Sequence, residues 1–152
     1  MEPLMSNPRD NLPLQPAWKR DFLFKVFLHV NREFNDFQRE CYRLVIGPEA
    51  TPETITRAID KLNKVIGLLE KSGWSPKRAD SDAVFKPDHY DRYPMEPTYF
   101  IVESGGFHWC IENFIKYVAR YRFKNGVEDL RKAMRNLAMY VQWLDQNPRW
   151  SR

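Results

Sequence analysis

Cysteine is scarce: Cys41 and Cys110 are the only two, far apart and without a C-x-x-C spacing. A disulfide framework and a cysteine-built zinc site are therefore not expected, and a reducing compartment is. Glycine is scarce too, at six residues. None of the six sits in a G-x-x-x-x-G-K-[ST] phosphate loop, a G-x-G-x-x-G turn or a nucleophile elbow. Any phosphate bound here would be held by side chains and helix ends, not by a glycine cradle. No apolar run approaches the length of a membrane span, and Glu2, Pro3, Pro8 and Asp10 are wrong for a secretory signal. The expectation is a soluble cytoplasmic protein with no membrane partner. Charge imbalance is also small: a net +4 with a pI near 9.1 suits anionic partners but does not establish nucleic-acid binding.

What is present is enough for one domain with a real core: 152 residues, 43% hydrophobic and 14% aromatic. Residues 1–17 carry Pro3, Pro8, Pro13 and Pro16 without an apolar period and read as an extended arm. From Trp18 the apolar positions Leu23, Phe27, Val30, Phe34, Phe37, Cys41 and Leu44 follow steps of four and three, predicting one long helix that ends at Gly47-Pro48. Thr51-Pro52-Glu53 then supplies an N-cap, an N1 proline and a first-turn acid. Ile55, Ala58, Ile59, Leu62, Val65, Ile66 and Leu69 form the buried stripe of a second helix stopping before Gly73. Residues 18–73 are thus expected to be an antiparallel helical hairpin.

The polar, aperiodic segment 74–88 reads as a linker to a C-terminal module over 89–147. Within that module Pro97 and Gly105-Gly106 bracket a short helix. Thr98-Tyr99-Phe100-Ile101-Val102 has strand propensity, but no partner strand is visible elsewhere. A longer helix spans roughly Trp109 to Lys124, with Asn125-Gly126 as its stop. A last helix opens at Glu128-Asp129 and buries Leu130, Met134, Leu137, Val141 and Leu144. The fold class is all-α, with the hairpin packed against a three-helix C-terminal module.

The densest positive charge lies at the junction of the last two helices. Lys116, Arg120, Arg122, Lys124, Arg131, Lys132 and Arg135 face only two acids, Glu128 and Asp129, and lie among Tyr117, Tyr121 and Phe123. Asn113, Lys116 and Arg120 share one helical stripe, which Lys124 continues. Like charges four residues apart disfavour a helix by a few tenths of a kcal/mol per pair. An anionic ligand would offset that cost. So would a solvated face balanced by Glu96, Glu103, Glu112 or Asp129. His89-Tyr90, beside Asp88 and Asp91, is a loop histidine able to titrate near neutral pH. Glu96, Glu112, Glu128 and Asp129 are acids of the type that hold magnesium, which takes one or two carboxylates plus substrate phosphates. For Glu128 and Asp129, pairing with the helix dipole is an equal account. Phe22, Phe24 and Phe27 cannot all share one narrow face, so the first helix is either covered on two sides or part of a homo-oligomer interface.

Taken in order, Lys86-Pro87-x-His89-Tyr90, Glu96-Pro97, Asn113-x-x-Lys116-Tyr117-x-x-Arg120-Tyr121 and Lys124-Asn125-Gly126-x-Glu128-Asp129-Leu130-x-Lys132-Ala133 resemble a small bacteriophage domain family. That family is similar to the C-terminal part of a nucleotide kinase of T-odd coliphages that works without a P-loop. The resemblance covers about residues 84–146; where the family commonly has glycine, this chain has Glu112. It implies a phage-encoded protein in the host cytoplasm that transfers phosphate from a nucleoside triphosphate to a deoxynucleoside monophosphate. His89, Lys116 and Arg120 would be catalytic. Tyr90, Asn113, Tyr117, Lys124 and Lys132 would bind nucleotide and phosphate, and Asp129 with Glu96 would hold Mg2+. Two other readings stand beside it. One is a binding module for nucleic acid or a host protein; the other is an all-α nucleotide pyrophosphohydrolase, although the clustered E-E-x-x-E pattern of those enzymes is missing.

Overall fold

A computed structural model of the chain describes residues 15–76 and 92–152. Among them every regular element is an α-helix: α1 (Ala17–Val30), α2 (Asp36–Ile46), α3 (Pro52–Ser72), α4 (Pro97–Ser104), α5 (Trp109–Arg120) and α6 (Val127–Leu144). Most of the expected arm and linker lies outside the described residues.

α3 forms where its caps dictate. Thr51 accepts from the Thr54 N–H at 3.2 Å while Thr54 Oγ1 accepts from the Thr51 N–H at 2.8 Å, so two free amides at the helix start are satisfied reciprocally. Pro52 occupies the first turn, and Gly73 closes the helix at φ 70°, a left-handed position that glycine takes without a Cβ penalty. The short segment settles as helix α4 rather than a strand, with Pro97 in its first turn and Gly105, at φ 67°, as its cap.

The long first helix is divided into two. The apolar period runs unbroken from Val30 to Phe37, yet the chain leaves helical geometry from Asn31 to Asn35. Asn35 adopts an extended conformation and starts α2 with a capping box. Its side chain accepts from the Gln38 N–H at 2.8 Å, and the Gln38 side chain accepts from the Asn35 N–H at 2.9 Å. The end of α1 is closed from the opposite side by Arg39, whose guanidinium donates to the carbonyls of Leu28 (2.6 Å), Asn31 (3.2 Å) and Phe34 (3.2 Å). The buried Asn31 amide donates to the Met95 carbonyl at 2.9 Å and accepts from the Met95 N–H at 3.0 Å. That pair ties the bend to the entrance of α4, on which α1 packs. The bend thus replaces several of the lost helix bonds with side-chain partners, as buried backbone requires. α2 packs on α3, but α3 lies most extensively against α6, so the hairpin of the first half is interleaved with the second half.

α5 runs through the middle. Cys110, Ile111, Phe114, Ile115, Val118 and Ala119 are all buried, at steps of three, four and one around its inner face. α5 stops at Arg120, a turn before the expected Lys124, and the chain continues in turns to Gly126. A buried helix end needs partners for its last carbonyls, and α2 and the segment before α4 provide them. Gln38 Nε2 donates to Val118 O at 2.9 Å and Tyr93 Oη to Ala119 O at 2.6 Å; one turn earlier, inside the helix, Tyr42 Oη donates to Ile115 O at 2.8 Å. Around this frame the aromatic core is continuous. Phe27 stacks on Phe100 with centroids 4.2 Å apart and meets Phe34 and Tyr42 edge-on at 5.2 and 5.3 Å. Aromatic pairs in such geometries contribute about 0.5–1.5 kcal/mol each beyond burial.

Candidate functional site

The α5–α6 hairpin sets the candidate residues in an antiparallel ladder. At its closed end the Arg120 guanidinium makes two bonds to the Asp129 carboxylate, Nε to Oδ2 and Nη2 to Oδ1, both at 3.2 Å. The Asp129 side chain is fully buried and that of Arg120 is 14% exposed. Asn125 adds its backbone N–H (3.3 Å) and its side-chain amide (3.4 Å) to the same carboxylate. Asp129 therefore organises the turn and the end of α5 at once. One step up the ladder, Tyr117 has the Arg120 guanidinium 4.8 Å and the Lys132 ammonium 5.8 Å from its ring centroid. Cations over an aromatic face gain about 0.5–1 kcal/mol at exposed positions. Lys132 also pairs with Glu128 at 3.3 Å, both side chains substantially exposed. Such a surface i,i+4 pair is worth only about 0.3–0.5 kcal/mol, and an incoming anion would displace it readily.

The next rung follows from register. Pairing of Arg120 with Asp129 and Tyr117 with Lys132 brings Asn113 level with Asn136. Asn136 was not singled out by sequence reasoning. It is buried, its Nδ2 donates to Lys132 O at 2.8 Å, and its Oδ1 has no partner among the described residues. The signal for it was the repeat of steps along α6, Asp129, Lys132, Asn136, one side of a helix. Lys116 lies half-buried on α5 and forms no ion pair with any described residue. The seven cations are otherwise dispersed. Arg131 pairs with Glu70 on α3, and Arg122 donates to Glu33 O at 2.6 Å. Arg122 and Arg92 flank the Phe123 ring at 5.5 and 3.9 Å.

The structure thus brings together Tyr117, Arg120, Asp129 and Lys132, while Asn113 and Lys116 lie on the same helix, α5. Lys124 is separated from the helical stripe because α5 has ended; it sits in the following turn, where its N–H donates to Arg120 O at 3.0 Å. Glu96 is the N-cap residue of α4 and makes no side-chain cap bond. His89 and Tyr90 lie outside the described residues. A magnesium ion on Asp129 would have to displace the Arg120 guanidinium. Among the described residues no group of three or more His, Cys, Asp or Glu side chains is arranged to hold a metal. Asp129 is thus already engaged by Arg120 and Asn125.

His108 does something local instead of chemical: its Nδ1 accepts from Cys110 N at 3.1 Å, capping α5. It packs against Trp143 and Trp150, and burial lowers its pKa, opposed by Glu112.

No helix among the described residues is long and apolar enough to cross a membrane. No curated protein and no solved structure matches the chain. A family model described as a protein of unknown function, DUF3310, matches residues 84–138, the stretch that contains α4, α5 and the first two-thirds of α6.

Proposed function

We propose that the α5–α6 face is a nucleotide-binding site and that the protein acts as a deoxynucleoside monophosphate kinase, moving a phosphoryl group from a nucleoside triphosphate. The observation that carries this reading is the grouping around Tyr117: a ring with Arg120 and Lys132 beside it and Lys116 one residue away, outside any ion pair with a described residue. A flat face bordered by cations is what a base with attached phosphates requires. Phosphoryl transfer asks the protein mainly for positioning and for stabilisation of charge spread over the transferred oxygens. Lys116 and Lys132 would supply that charge as mobile ammonium groups. Tyr117 would stack on the base, and Asn113 with Asn136 would offer amides along the same pair of helices. Arg120, held by Asp129, is a positioning residue in this scheme: it fixes Tyr117 and the end of α5 and is only partly available to a phosphate.

The test is an ADP-release assay with the four deoxynucleoside monophosphates as acceptors, comparing wild type with Lys116→Ala and Lys132→Ala. Loss of a group that stabilises transition-state charge costs about 100- to 1,000-fold, so Lys116→Ala is expected to fall by at least that lower figure with its folding unchanged. Turnover indifferent to both substitutions would refute the site. Steeply salt-dependent retention on DNA without turnover would replace the enzyme reading with a nucleic-acid module, and pyrophosphate release would replace it with a pyrophosphohydrolase.

A further inference from the structure

Among the described residues the outward face of α1 is left uncovered. Trp18 and Phe22 are 69% and 59% exposed, and Lys25 and His29 continue the same line at steps of three and four. The opposite face, with Leu23, Phe24, Phe27 and Leu28, is the one buried in the core. The stripe therefore has an aromatic half towards its N-terminus and a basic half, the Lys25 ammonium with the His29 imidazole, towards its C-terminus. Beside the basic half lies an open groove of about 520 Å³ between α1, α2 and the turn into α3, lined by Phe24, Leu28, Arg43, Pro48 and Glu49 as well as Lys25 and His29. Gly47 also lines it, at a position where a Cβ would stand 2.5 Å from Arg43 O at the end of α2. None of the nucleotide-site candidates lines this groove.

We propose that α1 pairs antiparallel with α1 of a second copy, making the protein a two-fold dimer. A two-fold axis between Phe22 and Lys25 sets Trp18 level with the partner's His29 and Phe22 level with the partner's Lys25. Each aromatic half then meets a basic half, Phe22 against the Lys25 ammonium, an isologous contact in which one patch complements itself. Trp18 enters the partner's groove, where its ring packs on apolar walls with cations at the edge, a favourable setting for cation–π attraction. The four aromatic side chains alone would remove roughly 500 Å² from water, about half of what a specific interface needs at minimum. The remainder comes from the helix stems and the groove rim. Exposed aromatics of this size ask for cover, and a second copy satisfies them with the groove and the cations already on the same face.

The test is sedimentation equilibrium of the full chain over a hundredfold concentration range, with Trp18→Ser, Phe22→Ser, Arg43→Glu and, as control, Trp109→Ser. Trp109 is likewise 59% exposed but on α5. The wild type and the control are expected at the mass of two chains, against 18.2 kDa for one. Trp18→Ser is expected to weaken the dimer by roughly 30-fold or more, the effect of losing an interface anchor. Because Trp18 and Phe22 are exposed, their variants should melt at the temperature of a wild-type monomer, which separates loss of pairing from loss of folding. A wild type of 18.2 kDa throughout, or a dimer indifferent to Trp18→Ser and Phe22→Ser, overturns the proposal. Neither result depends on nucleotide turnover.

Discussion

Replacement of Arg120 by alanine would leave the Asp129 carboxylate, with no exposed side-chain surface, facing only the two donors of Asn125. Breaking a buried ion pair by deleting one partner costs about 3–5 kcal/mol, so Arg120→Ala is expected at that level. Asp129→Ala should cost less, about 2–3 kcal/mol, because the guanidinium has a 14% exposed edge and keeps its place over Tyr117, while two Asn125 donors lose their acceptor. The double variant carries neither charge, so its loss should fall short of the sum by at least about 1.5 kcal/mol. Urea unfolding followed by far-UV circular dichroism measures all three. For a chain of this length each kcal/mol is about 2–4 °C in Tm, which puts Arg120→Ala roughly 6–20 °C below wild type. An Arg120→Ala loss under about 1 kcal/mol, or strictly additive losses, would show that the pair does not hold the α5–α6 turn together and would undo the positioning role given to Arg120.

Gly126→Ala should lose about 1–3 kcal/mol or more: the residue sits at φ 59°, ψ −128°, and an added Cβ would lie 2.8 Å from Pro76 Cδ and 3.2 Å from the Trp74 ring. A wild-type melting temperature would refute this. Alkaline pH should unfold the protein cooperatively. Burial pushes the Cys41 thiol up to about 12 and the Tyr93 hydroxyl up to about 12, and raises Tyr42 well above its usual range. These groups ionise first in the unfolded chain, so stability is undiminished below pH ~8.5. It then falls by about 1.4 kcal/mol per pH unit for each group as pH climbs towards 12. Absorbance at 295 nm should show late tyrosine ionisation coinciding with loss of helix; full ionisation near pH 10 with a native circular dichroism spectrum would contradict it.

The parts of the fold legible in the sequence are those whose signals are local. Thr51, Pro52 and Gly73 delimit α3 because caps act within one turn of the backbone, and Pro97 with Gly105 does the same for α4. The break between α1 and α2 was hidden by an apolar period that continues across it, since Phe34 is as buried as Phe27 although it is no longer helical. Its signal was present in Asn35-Asp36-Phe37-Gln38, a capping-box spacing inside an apparent helix. The closing partners of that break, Arg39 and Met95, act through space and leave no spacing to read. For the candidate site, the stripe Asn113, Lys116, Arg120 followed from helical period. Asp129 was one of four acids able to balance that stripe; its selection by Arg120 was not legible, because it depends on where α5 stops and how tightly the chain turns at Gly126.

The three side-chain donors to carbonyls of α5 have a consequence for how this chain can be divided. Gln38 and Tyr42 reach the carbonyls of Val118 and Ile115 from about eighty and seventy residues upstream, while the stretch matched by the family model begins at residue 84. A fragment cut to the matched boundaries would leave Val118 O without its Gln38 donor and would lose the wall supplied by α2 and α3. That stretch is therefore expected to resemble a graft dependent on its upstream rootstock, and expression trials should keep the two halves in one piece.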